Sequence, residues 1–183
     1  AGLQIDHAGT GAAIIANGNV GIGTSSPSQK LDVVGSIEVS DGIYLGGTVA
    51  ANKLTDYEFG NWTPTLGGNT TYSIQSGRYV KVGRLVYAQG VISVTTLGTG
   101  STTTLSGLPF VPINAGGGNM GGGIFYFVGL AVNVIAPTTY LGNNLTSLSF
   151  KSRTSAGIDL NTNLAVFGNS ARVDFSVTYE TAS

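Results

Sequence analysis

Charged side chains are scarce in this chain, and this shortage constrains its fold more than any other feature. Only 9% of the 183 residues are charged, 8 of them basic and 9 acidic, whereas an ordinary soluble domain carries about 25%. Long exposed helices need many Glu, Lys and Arg residues. A chain this poor in charge and this apolar would also expose too much apolar surface as a monomer. The composition therefore argues against a helical protein and predicts that identical subunits cover each other's apolar surface.

The same composition excludes several functional classes. The net charge is −1, so the chain lacks the excess of Lys and Arg residues that binding to nucleic acid requires. We therefore predict no nucleic-acid partner. The chain has no Cys and therefore no thiolate metal site, and we expect no cofactor. The longest apolar stretch, Ile124 to Ala136, is shorter than the ~20 residues of a membrane-spanning helix, so no membrane insertion is expected. His7 is expected to be an exposed terminal residue; the alternative is a metal site on the axis of a trimer.

Aromatic residues divide the chain into two parts. Only Tyr44 precedes Tyr57, and all the other aromatic residues follow it. Because large aromatic side chains build cores, the first part lacks the material for a core of its own. It does contain short apolar pieces such as Leu31-Asp32-Val33-Val34 and Ser36-Ile37-Glu38-Val39, separated by glycines. We predict that residues 1–55 form a stalk stabilised by neighbouring chains and that residues 56–183 form a globular domain.

The second part has the pattern of a small all-β domain. Val173, Phe175, Val177 and Tyr179 alternate with polar residues, as expected for a half-buried strand. Leu85 to Val94 is predicted to be a strand in which Gly90 marks a bulge or a close approach. Gly116 to Gly123 is predicted to be a loop, and Ile124 to Ile135 a strand buried on both faces. The regular turn signals favour a β-sandwich or a jelly-roll-like domain.

Two stretches of the sequence resemble bacteriophage proteins. Asn19-Val20-Gly21-Ile22-Gly23-Thr24, followed by Ser26-Pro27 and Lys30-Leu31, resembles a repeat common in phage tail fibres. Tyr57-Glu58 with Trp62-Thr63-Pro64-Thr65-Leu66, then Gly77-Arg78-Tyr79-Val80-Lys81-Val82-Gly83 and Ser106-Gly107-Leu108-Pro109-Phe110, is similar to the pattern of tail-fibre receptor-binding tips. The resemblance implies a homotrimer in the virion, with a slim intertwined β-stalk that leads into a tip touching the host cell surface.

In the stalk repeat, Val20 and Ile22 are two residues apart and therefore point to the same side of a strand. We predict that both side chains face the three-fold axis. Gly21 and Gly23 would then allow the backbones of neighbouring chains to pack closely. The alternative is an ordinary hairpin turn in a monomer.

The receptor contacts are expected on exposed loops of the tip that mix polar, glycine and aromatic residues. Aromatic rings stack on the apolar faces of sugars, and binding residues are often found on loops that a rigid scaffold holds in position. We predict two such loops, from Ala115 to Gly123 and from Thr138 to Asn144. The candidate receptor-binding residues, five in all, are Asn119, Tyr126, Tyr140, Asn143 and Asn144. Trp62, Tyr72 and Tyr87 are further aromatic candidates, of which Trp62 is expected in the core.

The function predicted from these features is attachment to a host glycan or outer-membrane receptor, without enzymatic activity. One alternative is a fragment of a tail-spike depolymerase, because some phage tail proteins cleave polysaccharide with paired carboxylates. The other is a purely structural virion protein or a bacterial trimeric adhesin. Other phage tail proteins are expected partners. The resemblance also implies a C-terminal chaperone cleaved off after Ser183, which would align three chains whose repetitive strands are prone to slip in register.

Overall fold

The computed structural model describes residues 18–49, 52–54, 56–113, 120–141, 145–153, 159–160 and 165–182. The chain divides into two compact units, Ala1–Asp41 and Gly42–Ser183. Strands make up nearly all the regular structure of the described residues, which confirms the predicted all-β class. The assignment of 1–55 to a stalk and 56–183 to a tip stays a prediction.

The first unit contains two short parallel strands, β1 (Val20–Ile22) and β2 (Leu31–Val33). The connection between them is held by Asp32, whose carboxylate accepts hydrogen bonds from the Ser28 backbone N–H (2.8 Å) and hydroxyl (3.0 Å). Gly23 has a positive φ of 76°, and a Cβ there would lie 2.7 Å from the Val34 carbonyl oxygen. The glycine is therefore required by a close approach within one chain. Residues 36–39, the second of the short apolar pieces noted in the sequence, form no strand.

No side chain among the described residues of the first unit, 18–41, is buried. Ile22, Leu31 and Val34 are all exposed. Within the described part of the chain β1 pairs with β2 alone, so each of the two strands leaves one edge unpaired there. Apolar side chains and unpaired strand edges are surfaces that proteins normally cover. The first unit therefore has no core of its own over this range, as the scarcity of aromatic residues predicted.

The second unit contains eleven described strands. They are β3 (Ile43–Tyr44), β4 (Lys53–Leu54), β5 (Tyr57–Trp62), β6 (Thr71–Val82), β7 (Leu85–Thr96), β8 (Thr104–Ser106), β9 (Met120–Val128), β10 (Ile135–Leu141), β11 (Ser147–Arg153), β12 (Asp159–Leu160) and β13 (Arg172–Glu180). β3 and β4 form a two-stranded hairpin. The others form one large sheet in the order β12-β11-β10-β9-β13-β7-β6-β5, with β8 also paired to β11.

This sheet curls until its two ends meet. Thr65, just beyond β5, bridges Ser106 of β8 through two backbone hydrogen bonds of 2.9 and 2.8 Å, and β8 pairs with β11 at the other end of the sheet. The halves of the sheet therefore face each other across one core. Phe150 of β11 and Phe175 of β13 meet there edge to face, with ring centroids 6.5 Å apart.

Two sequence predictions about strand boundaries are wrong. Gly116 to Gly123 was expected to be a loop, but β9 begins at Met120. Ile124 to Ile135 was expected to be one strand, but β9 ends at Val128 and β10 begins only at Ile135. The chain turns at Gly129, which has a positive φ of 65° and sits against the backbone of Ser170. The predicted strands at Leu85 and at Arg172 are confirmed as β7 and β13.

Tyr179, on the buried face of β13, gives the fold a dependence on alkaline pH. The Phe110 backbone N–H donates a hydrogen bond of 3.2 Å to its phenolic oxygen. Burial disfavours the phenolate and raises the pKa of Tyr179 to about 12 from the ordinary value of 10.0. When the pKa of a group is higher in the folded state than in the unfolded state, its contribution to stability is fully present at pH values below the unfolded-state pKa. That stabilisation is lost as the pH rises through the folded-state value.

We therefore expect the free energy of unfolding to fall between pH 10 and pH 12 by on the order of 2 kcal/mol from this residue. Over this range the unfolded chain releases the proton while the folded chain retains it. Denaturant titrations at both pH values, on the parent protein and on Tyr179→Phe, measure the contribution. The variant should lose less stability than the parent. Equal losses in the two proteins would show that Tyr179 is not the group responsible.

Candidate functional site

A row of three polar side chains crosses the outer face of the second unit. The strand register places Asn61 of β5 opposite Arg78 of β6, and Arg78 opposite Gln89 of β7. All three residues are exposed, because alternate residues of each strand point away from the core. Paired residues on neighbouring strands lie about 4.8 Å apart, so this polar row places three hydrogen-bonding groups side by side.

An apolar row runs alongside the polar row, two residues further along each strand. It consists of Phe59, Val80 and Tyr87, which the register also aligns. Phe59 is 73% exposed and Tyr87 is 42% exposed. The two rows together offer aromatic rings next to amide and guanidinium groups. This combination is suited to a ligand with one apolar face and a polar rim.

Two adjoining grooves follow these rows. The larger, about 560 Å³, is lined by the apolar row, by Tyr57 and by the polar row. The smaller, about 360 Å³, is lined by Val91, Phe125 and Asp174. Arg78 and Gln89 line both grooves and so lie at their common boundary. The polar row is therefore at the centre of a recessed surface that the two grooves share.

The side chains of the polar row are not used by the fold. Within the described ranges, no hydrogen bond or ion pair involves the Asn61 amide, the Arg78 guanidinium or the Gln89 amide. Each group keeps its full capacity for hydrogen bonding, which for arginine is five N–H donors in a planar fork. These groups are solvated in the free protein and are available to a ligand.

The core directly beneath the polar row holds it in place. The Trp62 indole N–H donates a hydrogen bond of 3.0 Å to the Gln89 carbonyl. Two glycines of the neighbouring strands make room for the rings below. A Cβ at Gly77 would lie 2.6 Å from Cε2 of Trp62, and one at Gly90 would lie 2.8 Å from Cζ of Phe175. Gly90 was predicted to mark a bulge or a close approach, and the structure shows the close approach.

Arg172 and Asp174 of β13 form an ion pair beside the smaller groove. Arg172 donates two hydrogen bonds to the Asp174 carboxylate, of 2.8 and 2.9 Å. This hydrogen bonding is the main reason why the pKa of Arg172 is raised above its ordinary value. The guanidinium carbon of Arg172 also lies 5.3 Å from the ring centroid of Tyr126, within the range of a cation–π contact. Asp174 is therefore already neutralised by a partner in its own strand.

The predicted receptor-binding residues have different positions. Tyr126 is exposed on β9 and pairs in register with Asp174, beside the smaller groove. Tyr140 was expected on a loop, but it lies within strand β10 opposite Gly121 and is only half-exposed. Its ring lies 5.1 Å from the Lys151 ammonium. The register separates Tyr140 from Tyr126 by five positions of β9. Asn119, Asn143 and Asn144 lie outside the described residues.

The predictions missed Phe59, Arg78 and Gln89. Exposure alternates along Tyr57 to Trp62 and along Gly77 to Val82, but Tyr57 and Phe59 are apolar residues on the exposed face, so the hydrophobic pattern of the sequence could not have found this site. Tyr87 was predicted as an aromatic candidate and lies in the larger groove. Trp62 was expected in the core and is buried there.

The carboxylates available for acid–base chemistry are mostly engaged. Asp56 pairs with the buried Lys81, and Glu180 pairs with Arg84 at 3.4 Å. No group of three His or acidic side chains that could hold a metal ion occurs in the described ranges, and His7 lies outside them. Among the same residues no helix is long and apolar enough to cross a membrane.

Comparison with known proteins gives no further guide to function. No family model, no curated protein and no solved structure matches this chain.

Proposed function

We propose that this chain is the distal part of a homotrimeric phage tail fibre that binds a host cell-surface receptor. The observation that carries the binding function is the pair of adjoining grooves centred on the polar row. Their lining combines exposed aromatic rings with unpaired amide and guanidinium groups, which is the chemistry that a glycan needs. An outer-membrane protein is the other receptor class that the proposal includes.

Homotrimer formation is supported by the first unit. Its described residues have no buried side chain, and Ile22 is 56% exposed in the single chain. Burial against two further copies would remove these apolar groups from water, at about 25 cal/mol per Å². The proposal assigns this part to the stalk, with Val20 and Ile22 at the three-fold axis. The grooves then belong to the tip, and the location is the virion, where other tail proteins hold the fibre.

Binding is favoured over cleavage by the state of the carboxylates. A glycosidase normally uses two carboxyl groups flanking the scissile bond. Among the lining residues that the structure describes, Asp174 is the one carboxylate, and it is held by Arg172. Release of reducing sugar from host polysaccharide by the purified protein would instead identify the depolymerase alternative.

The binding function predicts a strong effect of Tyr87→Ala. Loss of this ring removes a stacking surface from the larger groove, and tyrosine is one of the residue types whose removal from a binding hot spot costs about 2 kcal/mol or more. We expect binding of the labelled protein to host cells to fall at least tenfold. Tyr44→Ala, a matched change at an exposed tyrosine outside the grooves, should bind like the parent protein.

The same cell-binding assay tests the two predicted contacts that the structure describes. Tyr126→Ala is expected to weaken binding, because Tyr126 borders the smaller groove. Tyr140→Ala, which stays part of the proposal, is expected to weaken it too. Undiminished binding by Tyr87→Ala and Tyr126→Ala together would contradict the position of the site. Absence of binding by the parent protein to any candidate host would contradict the function.

A further inference from the structure

We propose that the polar row binds a sugar residue carrying a single carboxylate, such as a uronic acid, with Arg78 as its counter-charge. This inference rests on the proposed receptor-binding function and names the ligand class of that site.

The charges that line the two grooves favour an anionic ligand. Among the described residues that line them, Arg78 and Asp174 are the ones charged at neutral pH. Asp174 is compensated by two hydrogen bonds from Arg172. Arg78 has no partner in the described part of the chain. The grooves therefore carry one uncompensated positive charge, which matches one negative charge on a ligand.

The side chains around Arg78 fit a carboxylate flanked by hydroxyl groups. A guanidinium presents paired N–H donors that fit the two oxygens of a carboxylate. Asn61 and Gln89 lie one strand away on either side of Arg78. Their amides both donate and accept hydrogen bonds, as the hydroxyl groups flanking a sugar carboxylate require. The aromatic rings of Phe59 and Tyr87, in the neighbouring row, can cover the apolar face of the same sugar ring.

The position of the polar row within the sheet favours a sugar over a peptide as the ligand. An extended peptide binds a sheet by pairing with the free backbone groups of an edge strand. The polar row is centred on β6, whose backbone is paired on both sides with β5 and β7. At Arg78 and Gln89 only side chains are therefore offered to the ligand, because β7 is likewise paired on both sides, and the edge strand β5 contributes Asn61 alone to the row. Side-chain amides, a guanidinium and aromatic rings without free backbone groups are suited to an acidic glycan.

The test is an array of uronate oligosaccharides of different linkages, each printed beside its carboxyl-reduced, neutral counterpart. A phosphodiester-linked glycerol polymer provides a second anion. The parent protein should bind at least one uronate tenfold or more tightly than its neutral counterpart, since charge-assisted hydrogen bonds contribute about 1.5–3 kcal/mol. Arg78→Gln should lose this preference, whereas Arg78→Lys should keep part of it. Lys30→Gln, which removes a positive charge from the first unit, should keep all of it.

The inference would be overturned by three results. The first is equal binding of uronates and their neutral counterparts by the parent protein, or binding of neither. The second is an unchanged preference in Arg78→Gln. The third is tighter binding of the phosphodiester polymer than of every uronate. If host-cell binding persists in any of these cases, the receptor-binding function stands and only the ligand class is wrong. Loss of cell binding by the parent protein would contradict the function itself.

Discussion

Replacing Ile22 by Asp is expected to convert the proposed homotrimer into species with the 18.6 kDa mass of one chain. Ile22 is exposed in the single chain and lies on the same side of β1 as Val20. In the trimer these side chains would share a dry axis, where an unpaired charge costs several kcal/mol. Three carboxylates meeting at one axis add mutual repulsion. Val20→Asp is expected to have the same effect, and light scattering measures the mass directly.

The matched control for this substitution is Gln29→Asp. It adds the same charge to the exposed connection between β1 and β2, away from the predicted axis, and should leave the trimer intact. Two observations would contradict the arrangement. One is a folded parent protein that is monomeric at micromolar concentration, and the other is an Ile22→Asp protein that remains trimeric.

Phe175→Ala is expected to destabilise the second unit by about 3–5 kcal/mol, as removal of a buried aromatic ring normally does. Phe175 is 1% exposed and makes edge-to-face contacts with both Trp62 and Phe150, at centroid distances of 6.1 and 6.5 Å. It therefore joins the two ends of the curled sheet across the core. Removal of the ring leaves a cavity, because the strands around it cannot move together to fill the space.

Denaturant unfolding followed by fluorescence measures this change, because Trp62 is the sole tryptophan and contacts Phe175 itself. The control is Phe125→Ala, which removes the same side chain from a position that is 67% exposed. That variant should unfold within about 1 kcal/mol of the parent. Equal destabilisation by the two substitutions would mean that Phe175 is not a central core residue.

Much of the second unit could be predicted because strand alternation is a local property. The predicted buried face of β13, with Val173, Phe175, Val177 and Tyr179, is buried as expected. The buried position of Trp62 was predicted as well, and at Gly90 the sequence predicted a bulge or a close approach, of which the structure shows the close approach. In each case the residue types themselves carry the information, since apolar residues with a period of two can bury only one face of a strand.

The prediction failed where glycines served packing instead of flexibility. Gly121 to Gly123 were assigned to a loop, yet they belong to β9. A Cβ at Gly122 would collide with the Ser176 carbonyl oxygen, and one at Gly121 would lie 2.9 Å from the Thr139 carbonyl oxygen. These contacts come from strands β13 and β10, far away in the sequence. Glycine propensity alone cannot distinguish a turn from such a close approach.

The sequence by itself determined the all-β class, the scarcity of core-forming aromatic residues in the first part and the buried face of β13. These properties depend on composition and on neighbours in the chain. Only the tertiary structure decided that Asn61, Arg78 and Gln89 form one row, because their alignment depends on the register of three strands. That register is set by the turns between the strands and by the packing of Trp62 against Gly77 and Gly90. A shift of one residue in the pairing of β6 would turn Arg78 toward the core, and the three polar side chains would no longer be aligned.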